Sequence, residues 1–354
     1  MIAAGALAAA AIAGLALCGP ARAEPVADFY AGKTVRIIVG YGPGSGYDVY
    51  ARLLERHLGK YIPGHPEVIT QNMDGAGSLR AANFLYNAAP KDGTAIGMVS
   101  RSIASIPIIG GAGSEGAKFD SAKFQWLGSL NNEVSVAAAW HTTGIKTIDD
   151  VKQRELVVGA TAFGVDDSTV FPAVTNALFG TKFKWVLGYR GGTEMNLAME
   201  RGETYGRVGW SWSSIKSINA EWLRDKKINV LLQLSLAKHP DLPEVPLIVD
   251  MARNEKERQA LELIFSRQAM GRPFLAPPDL PQERAKALQA AFWAAVNDPA
   301  LRAEADRMKL EVNPVSGPDV AAMVERMYKA PPDVIELVKR IVPQPEAASK
   351  KQGG

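Results

Sequence analysis

One unit recurs along this chain and limits what it can fold into: a short β-branched run, a glycine-rich loop, then an amphipathic run. TVRIIV precedes GYGPGSG, and from Tyr47 to about Tyr61 the residues Val49, Leu53, Leu54 and Leu58 share one helical face. PEVITQN, GAGS and LRAANFLYNAA repeat that order, and TAIGMVS closes the set as a third strand. A second set follows an irregular stretch near residues 103–125. It runs ELVVGA, TAFGVDDS and TVFPAVTNALFG, with Pro172 read as lying in the first helical turn, then FKWVLGY, RGGT and EMNLAMERG. Alternation of this kind predicts an α/β protein with largely parallel sheet, and two sets predict two similar lobes.

The remaining segments fill in around those sets. SIPIIGGAGSEGAKFD, with four glycines and no period, reads as a surface loop. FQWLGSL, VSVAAAW, GRVGWSW and INVLLQLS read as strands, IDDVKQR as a short helix, and HPDLPEVPLIVD as an extended connection. Two helical stretches, EKERQALELIFSRQ and PQERAKALQAAFWAAVNDPALRAEADRM, flank the strand-like AMGRPFLAP. The expected division is a first lobe in residues 24–130 plus 250–340, a second in 131–249, and a solvated tail in 341–354.

Residues 1–23 read as an export signal, because IAAGALAAAAIAGLAL is followed by Ala21, Arg22 and Ala23, an AxA site cleaved after Ala23. The apolar run is shorter than the roughly 20 residues of a membrane span. The expected location is therefore the periplasm. Cys18, the single cysteine, lies inside that signal, so the processed chain would carry no disulfide, no thiol nucleophile and no cysteine metal site. Lys and Arg number 40 against 37 Asp and Glu, with no dense basic block, which argues against nucleic acid as a partner. A monomer is expected.

In parallel α/β units, ligands sit beyond the carboxyl ends of strands, where loops open onto helix N-termini whose free N–H groups favour anions. Ser45 with Asp48 fits a capping box, and Ser78, Ser168 and Thr193 are candidate N-caps of three further helices. Glycines at 42, 44, 46, 75, 77, 164, 191 and 192 would let a ligand approach the backbone. The predicted result is a set of neutral anion cradles.

Nucleotide motifs do not explain the first loop: its glycines recur at every second position, so GxGxxG spacing fails there, and no GxxxxGK occurs. His57, His65, His141 and His239 are scattered, and the pairs Asp149–Asp150 and Asp166–Asp167 stand where helix capping explains them. The expectation is no catalytic residue, no metal and no cofactor. At GWSWSS two placements of Trp210 and Trp212 stay open, sheet-face core or the apolar wall of a pocket. Arg190 is the one cation in a candidate loop and either pairs with a carboxylate or faces solvent.

KTVRIIVGYGPGSGYDVYARLL, ITQNMDGAGSLRAANFLYNAAPKDGTAIGMV, GYRGGTEMNLAMERGE and HPDLPEVPLI, in that order from about residue 29 to 330, resemble the substrate-binding receptors of tripartite tricarboxylate transporters, the Bug receptor family. The resemblance implies a periplasmic-binding-protein fold, two α/β lobes joined by a hinge and closing on a small organic carboxylate. It places ligand-binding positions at Tyr41, Gly42, Gly44, Ser45, Gly46 and Asp48, and at Asn72, Gly75, Ala76, Gly77 and Ser78. In the second lobe it places them at Thr161, Phe163, Gly164, Ser168, Arg190, Trp210 and Ser211. The chain departs from the family pattern at Gly40–Tyr41, Ser45, Met73–Asp74 and Asp166–Asp167, the last an acidic pair that would repel a nearby carboxylate.

The implied function is a receptor that delivers its ligand to a membrane permease. Two rivals differ in class. A periplasmic sensor would bind the same ligand and contact a signalling receptor, and an exported hydrolase or lyase would need a perturbed acid or base facing the cleft.

Overall fold

The computed structural model describes residues 25–342, which leaves the segment read as an export signal and most of the expected tail 341–354 outside the described residues. TVRIIV forms β1 (Thr34–Val39), followed by β2 (Glu67–Asn72), β3 (Ala95–Met98) and β4 (Gln125–Ser129). Side chains of β1 alternate between two apolar clusters, with Val35, Ile37 and Val39 in one and Ile38 in the other. Burial on both faces from Ile37 to Val39 explains the β-branched run there, whereas Arg36 is exposed. The helix Gly46–Leu58 packs Tyr50, Leu53, Leu54 and Leu58 onto the three-residue face of β1. Each such side chain contributes at most about 1.5–3 kcal/mol by burial.

The chain then builds β5 (Ser135–Trp140), β6 (Leu156–Gly159), β7 (Phe183–Val186), β8 (Gly206–Ser211) and β9 (Ile228–Leu234), and returns as β10 (Pro273–Ala276) and β11 (Val315–Ser316). The first lobe holds a six-stranded sheet in the order β11-β4-β10-β3-β1-β2. The second holds a three-stranded sheet, β8-β5-β9, and the pair β6-β7. Two α/β lobes are therefore present, as expected.

The sheets are not largely parallel. β1 is parallel to β2 and β3, and β6 to β7, but β10 runs antiparallel to both β3 and β4, and β5 antiparallel to β8 and β9. The reason is the connection: β10 re-enters the first lobe from the second, in the opposite sense, and is inserted between β3 and β4. Local periodicity carries no information about that return.

Other expectations change as well. The stretch read as a surface loop contains helices Ile106–Ile109 and Gly111–Gly116, with Ile106 and Ile109 buried. The long C-terminal stretch is two helices, Gln282–Val296 and Pro299–Arg307, because Asp298 caps a new helix that Pro299 opens. Pro172 lies past the first turn, since its helix starts at Asp167. One apolar cluster is continuous between the lobes, from Ile38 and Trp126 through Phe171 and Leu232 to Val320 and Val334 near the C-terminus. Among the described residues no helix is long and apolar enough to cross a membrane.

Candidate functional site

Between the lobes lies a cavity of about 80 Å3. The first lobe contributes Tyr41, the loop Gly44–Tyr47, Ser100 and Arg101. The second contributes Thr161, Asp166–Ser168, the N-terminus of the helix Gly192–Glu200, and the end of β8. Arg272, on the return into β10, closes the floor.

In the first loop Ser45 caps the helix, accepting from Asp48 N at 3.4 Å. The reciprocal capping-box bond is displaced by one residue: Asp48 accepts from Gly44 N at 2.9 Å. Asn72 Nδ2 donates to Asp48 Oδ1 and to the Tyr41 carbonyl, both at 2.8 Å. Asp48 and Asn72 therefore brace the loop from behind, outside the cavity lining. Gly42 N donates to the Arg190 carbonyl at 3.2 Å, which zips the two lobes at the rim.

The second loop does not line the cavity. Gly75, Ala76, Gly77 and Ser78 all take positive φ, and Gly77 packs so closely against Val165 and Thr161 that a Cβ would lie 2.8 Å from a Val165 methyl. Ser78 is not a side-chain cap of the helix Leu79–Asn87; its φ is +80° and its hydroxyl accepts instead from Ser100 N at 3.0 Å. This loop seals the lobes together beside the cavity.

Capping in the second lobe also differs. Asp166, not Ser168, is the N-cap of the helix Asp167–Phe179, and Gly191, not Thr193, that of the helix Gly192–Glu200. The Asp166 carboxylate accepts from Ser168 N at 3.1 Å and from the Ser168 hydroxyl, from Thr161 Oγ1 at 2.7 Å, and from the Tyr41 hydroxyl at 3.1 Å. Burial pushes its carboxyl above the usual range, and the Ser168 and Thr161 bonds oppose that rise. The two loops expected to offer free amides are thus partly filled by the protein's own carboxylates, Asp48 and Asp166.

Sequence reasoning missed four buried arginines: Arg101, Arg207, Arg267 and Arg272. Arg101 reaches across the lobes to Asp167 Oδ2 at 2.7 Å and to Ser135 Oγ at 2.7 Å. Burial opposes its charge, yet Asp167 holds it above the ordinary arginine range. Arg267 sits 3.0 Å from the other Asp167 oxygen without hydrogen-bond alignment, and stacks on Phe171. Arg272 lies 3.4 Å from Glu133 and donates to Ser211, Ser213 and Ser214. Asp167 is therefore a bridge between arginines, not a cap.

Arg207 is different. It is 9% exposed, lies 4.3 Å over the Trp210 ring, and donates through Nη1 to Asn196 Oδ1 at 2.6 Å. Among the described residues no carboxylate lies within ion-pair distance of it, and Nε and Nη2 donate no hydrogen bond. Burial pulls its guanidinium down to about 9, against the field of Asp166. Such a group lacks an anion. The signal in the sequence was a lone arginine inside an otherwise uncharged strand, GRVGWS.

Of the positions named from the sequence, Tyr41, Gly44, Ser45, Gly46, Thr161, Ser168, Trp210 and Ser211 line the cavity. Gly42, Asp48, Asn72, Gly75, Ala76, Gly77, Ser78, Phe163, Gly164 and Arg190 lie behind or beside it. Arg190 is 65% exposed and pairs with Glu194 at 2.7 Å. Trp210 walls the cavity, whereas Trp212 turns away and donates to Asp241 at 3.0 Å. His239, one of the four histidines read as scattered, meets Asp241 and Glu311, and Lys216 bonds both of those carboxylates. His57 contacts Glu304 of a neighbouring helix at 2.7 Å.

Two α/β lobes around an interlobe cavity define the periplasmic-binding-protein fold. The periplasmic binding protein BugD superposes with a TM-score of 0.69 at 16% identity, over 89% of this chain and 100% of that one. MatC from Rhodopseudomonas palustris, solved with malate, gives 0.67 at 17% identity, over 87% and 98%. A second R. palustris protein, solved with adipate, gives 0.65 at 16%, over 88% and 98%. No family model and no curated protein matches the chain.

Proposed function

We propose that the protein is an exported periplasmic receptor that captures a small organic carboxylate between its lobes and delivers it to the permease of a tripartite tricarboxylate transporter. The observation that carries this reading is Arg207, a buried guanidinium without a carboxylate partner, facing an interlobe cavity. The malate and adipate held by two proteins of the same fold support the ligand class. No step of covalent chemistry belongs to the proposal.

A carboxylate on Arg207 gains a charge-assisted contact, about 1.5–3 kcal/mol per hydrogen bond. The N-terminus of the helix Gly192–Glu200 has no side-chain cap and adds roughly 0.3–1 kcal/mol. Hinge motion through the crossings near residues 130–135 and 234–273 would couple occupancy to permease recognition, since both lobes present one surface only when closed.

Calorimetric titration of the purified protein with mono- and dicarboxylic acids tests the reading. Saturable binding of at least one acid, abolished in Arg207→Gln with an unchanged circular dichroism spectrum, is the expected result. Indifference to every acid would remove the receptor function.

A further inference from the structure

Resting on that reading, we infer that the ligand carries a single carboxylate, held by Arg207 at the Gly192 helix, and that Asp166 is the residue that bars a second one. Besides the N-terminus of the helix Gly46–Leu58, where Asp48 already accepts from Gly44 N, the N-terminus of the helix Asp167–Phe179 is another place in the cavity where an anion could sit. It is already taken: the Asp166 carboxylate caps the helix and accepts from the Ser168 amide and hydroxyl, from Thr161 Oγ1 and, across the cleft, from Tyr41. A protein carboxylate stands where a second ligand carboxylate would, with its donors engaged.

The other cations of the cluster are also matched. Asp167 lies against Arg101 and Arg267, and Glu133 against Arg272, so Arg207 alone lacks a carboxylate in contact. Gly192 lets that guanidinium reach the helix terminus, since a Cβ there would lie 3.2 Å from Nη2. The lining also carries the apolar Met195, Val208, Trp210 and Ile218 and the neutral polar Thr193, Asn196 and Asn219. A second charge on the ligand would face Asp166 in a low-dielectric space, where like charges repel strongly. The chemical class is therefore a short monocarboxylic acid with an uncharged remainder.

The test compares acids matched in carbon number, butyrate against succinate and hexanoate against adipate, titrated into wild type, Asp166→Asn, Asp166→Ser and Arg207→Gln. Asn and Ser both cap helices, so the fold is retained; melting of the ligand-free variants checks this. Wild type is expected to prefer the monoacids at least tenfold. Both Asp166 variants should narrow or reverse that ratio, and Arg207→Gln should lose both classes. Equal or tighter wild-type binding of the diacids, or a ratio that neither Asp166 variant changes, overturns this inference and leaves the receptor reading intact. If the Asp166 variants do not fold, the wild-type ratio alone decides. Failure of every acid to bind wild type overturns both.

Discussion

The Tyr41 hydroxyl of the first lobe donates to the Asp166 carboxylate of the second across 3.1 Å, so the helix cap of one lobe is completed by the other. Burial and the Asp166 charge push the Tyr41 phenol well above its ordinary range, which keeps it a donor at neutral pH. Tyr41→Phe removes one charge-assisted bond from the closed form only, about 1.5 kcal/mol. Ligand affinity should fall roughly tenfold. Melting of the ligand-free protein should move much less than the calorimetric Kd, and an unchanged Kd would show that this bond does not hold the lobes together.

Gly192→Ala separates binding from folding. Its Cβ would press on Arg207 Nη2 at 3.2 Å, while alanine at the start of a helix favours the fold by up to about 1 kcal/mol. The expected outcome is weakened acid binding with an equal or higher melting temperature. Gly44→Ala should behave oppositely in stability, because φ there is +74° and a side chain strains the backbone.

Glu311 crosses from the first lobe to Lys216 of the second, with His239 Nε2 at 3.3 Å. The pair is partly exposed, so Glu311→Gln should cost the closed form ~0.5–1 kcal/mol. Stopped-flow dissociation of the ligand should speed up roughly two- to fivefold. High salt should produce a similar acceleration in wild type and little further in the variant.

Glu304 joins the helices Gly46–Leu58 and Pro299–Arg307. Its bonds to His57 and Arg56 hold its carboxyl below the usual carboxylate range. The folded protein therefore binds this proton less readily than the unfolded chain, and the contribution is present above the unfolded value and lost as pH falls through the folded one. Urea midpoints measured from pH 6 to 3 should drop less steeply in Glu304→Gln than in wild type. Parallel curves would assign the acid sensitivity elsewhere.

Much of this architecture was legible because period and capping are local properties. The β-branched run TVRIIV, the helical face of Val49, Leu53, Leu54 and Leu58, and the Ser45 cap needed only neighbouring residues. Ser78 does stand at the N-cap of its helix, but its hydroxyl serves Ser100 N instead; the caps at Ser168 and Thr193 were misread because each lies two residues from the position that caps, Asp166 and Gly191, and that choice depends on packing.

The charge of the site was not legible. Arg101, Arg207 and the pair Arg267 and Arg272 come from three separate segments, and each in isolation resembles a surface residue. The succession of strands, glycine turns and amphipathic faces is written into the chain, because the intrinsic preferences of a few adjacent residues decide it. Which arginine keeps a carboxylate and which is left without one emerges only when the lobes meet, because a buried charge is defined by what surrounds it, and those surroundings are distant in the chain.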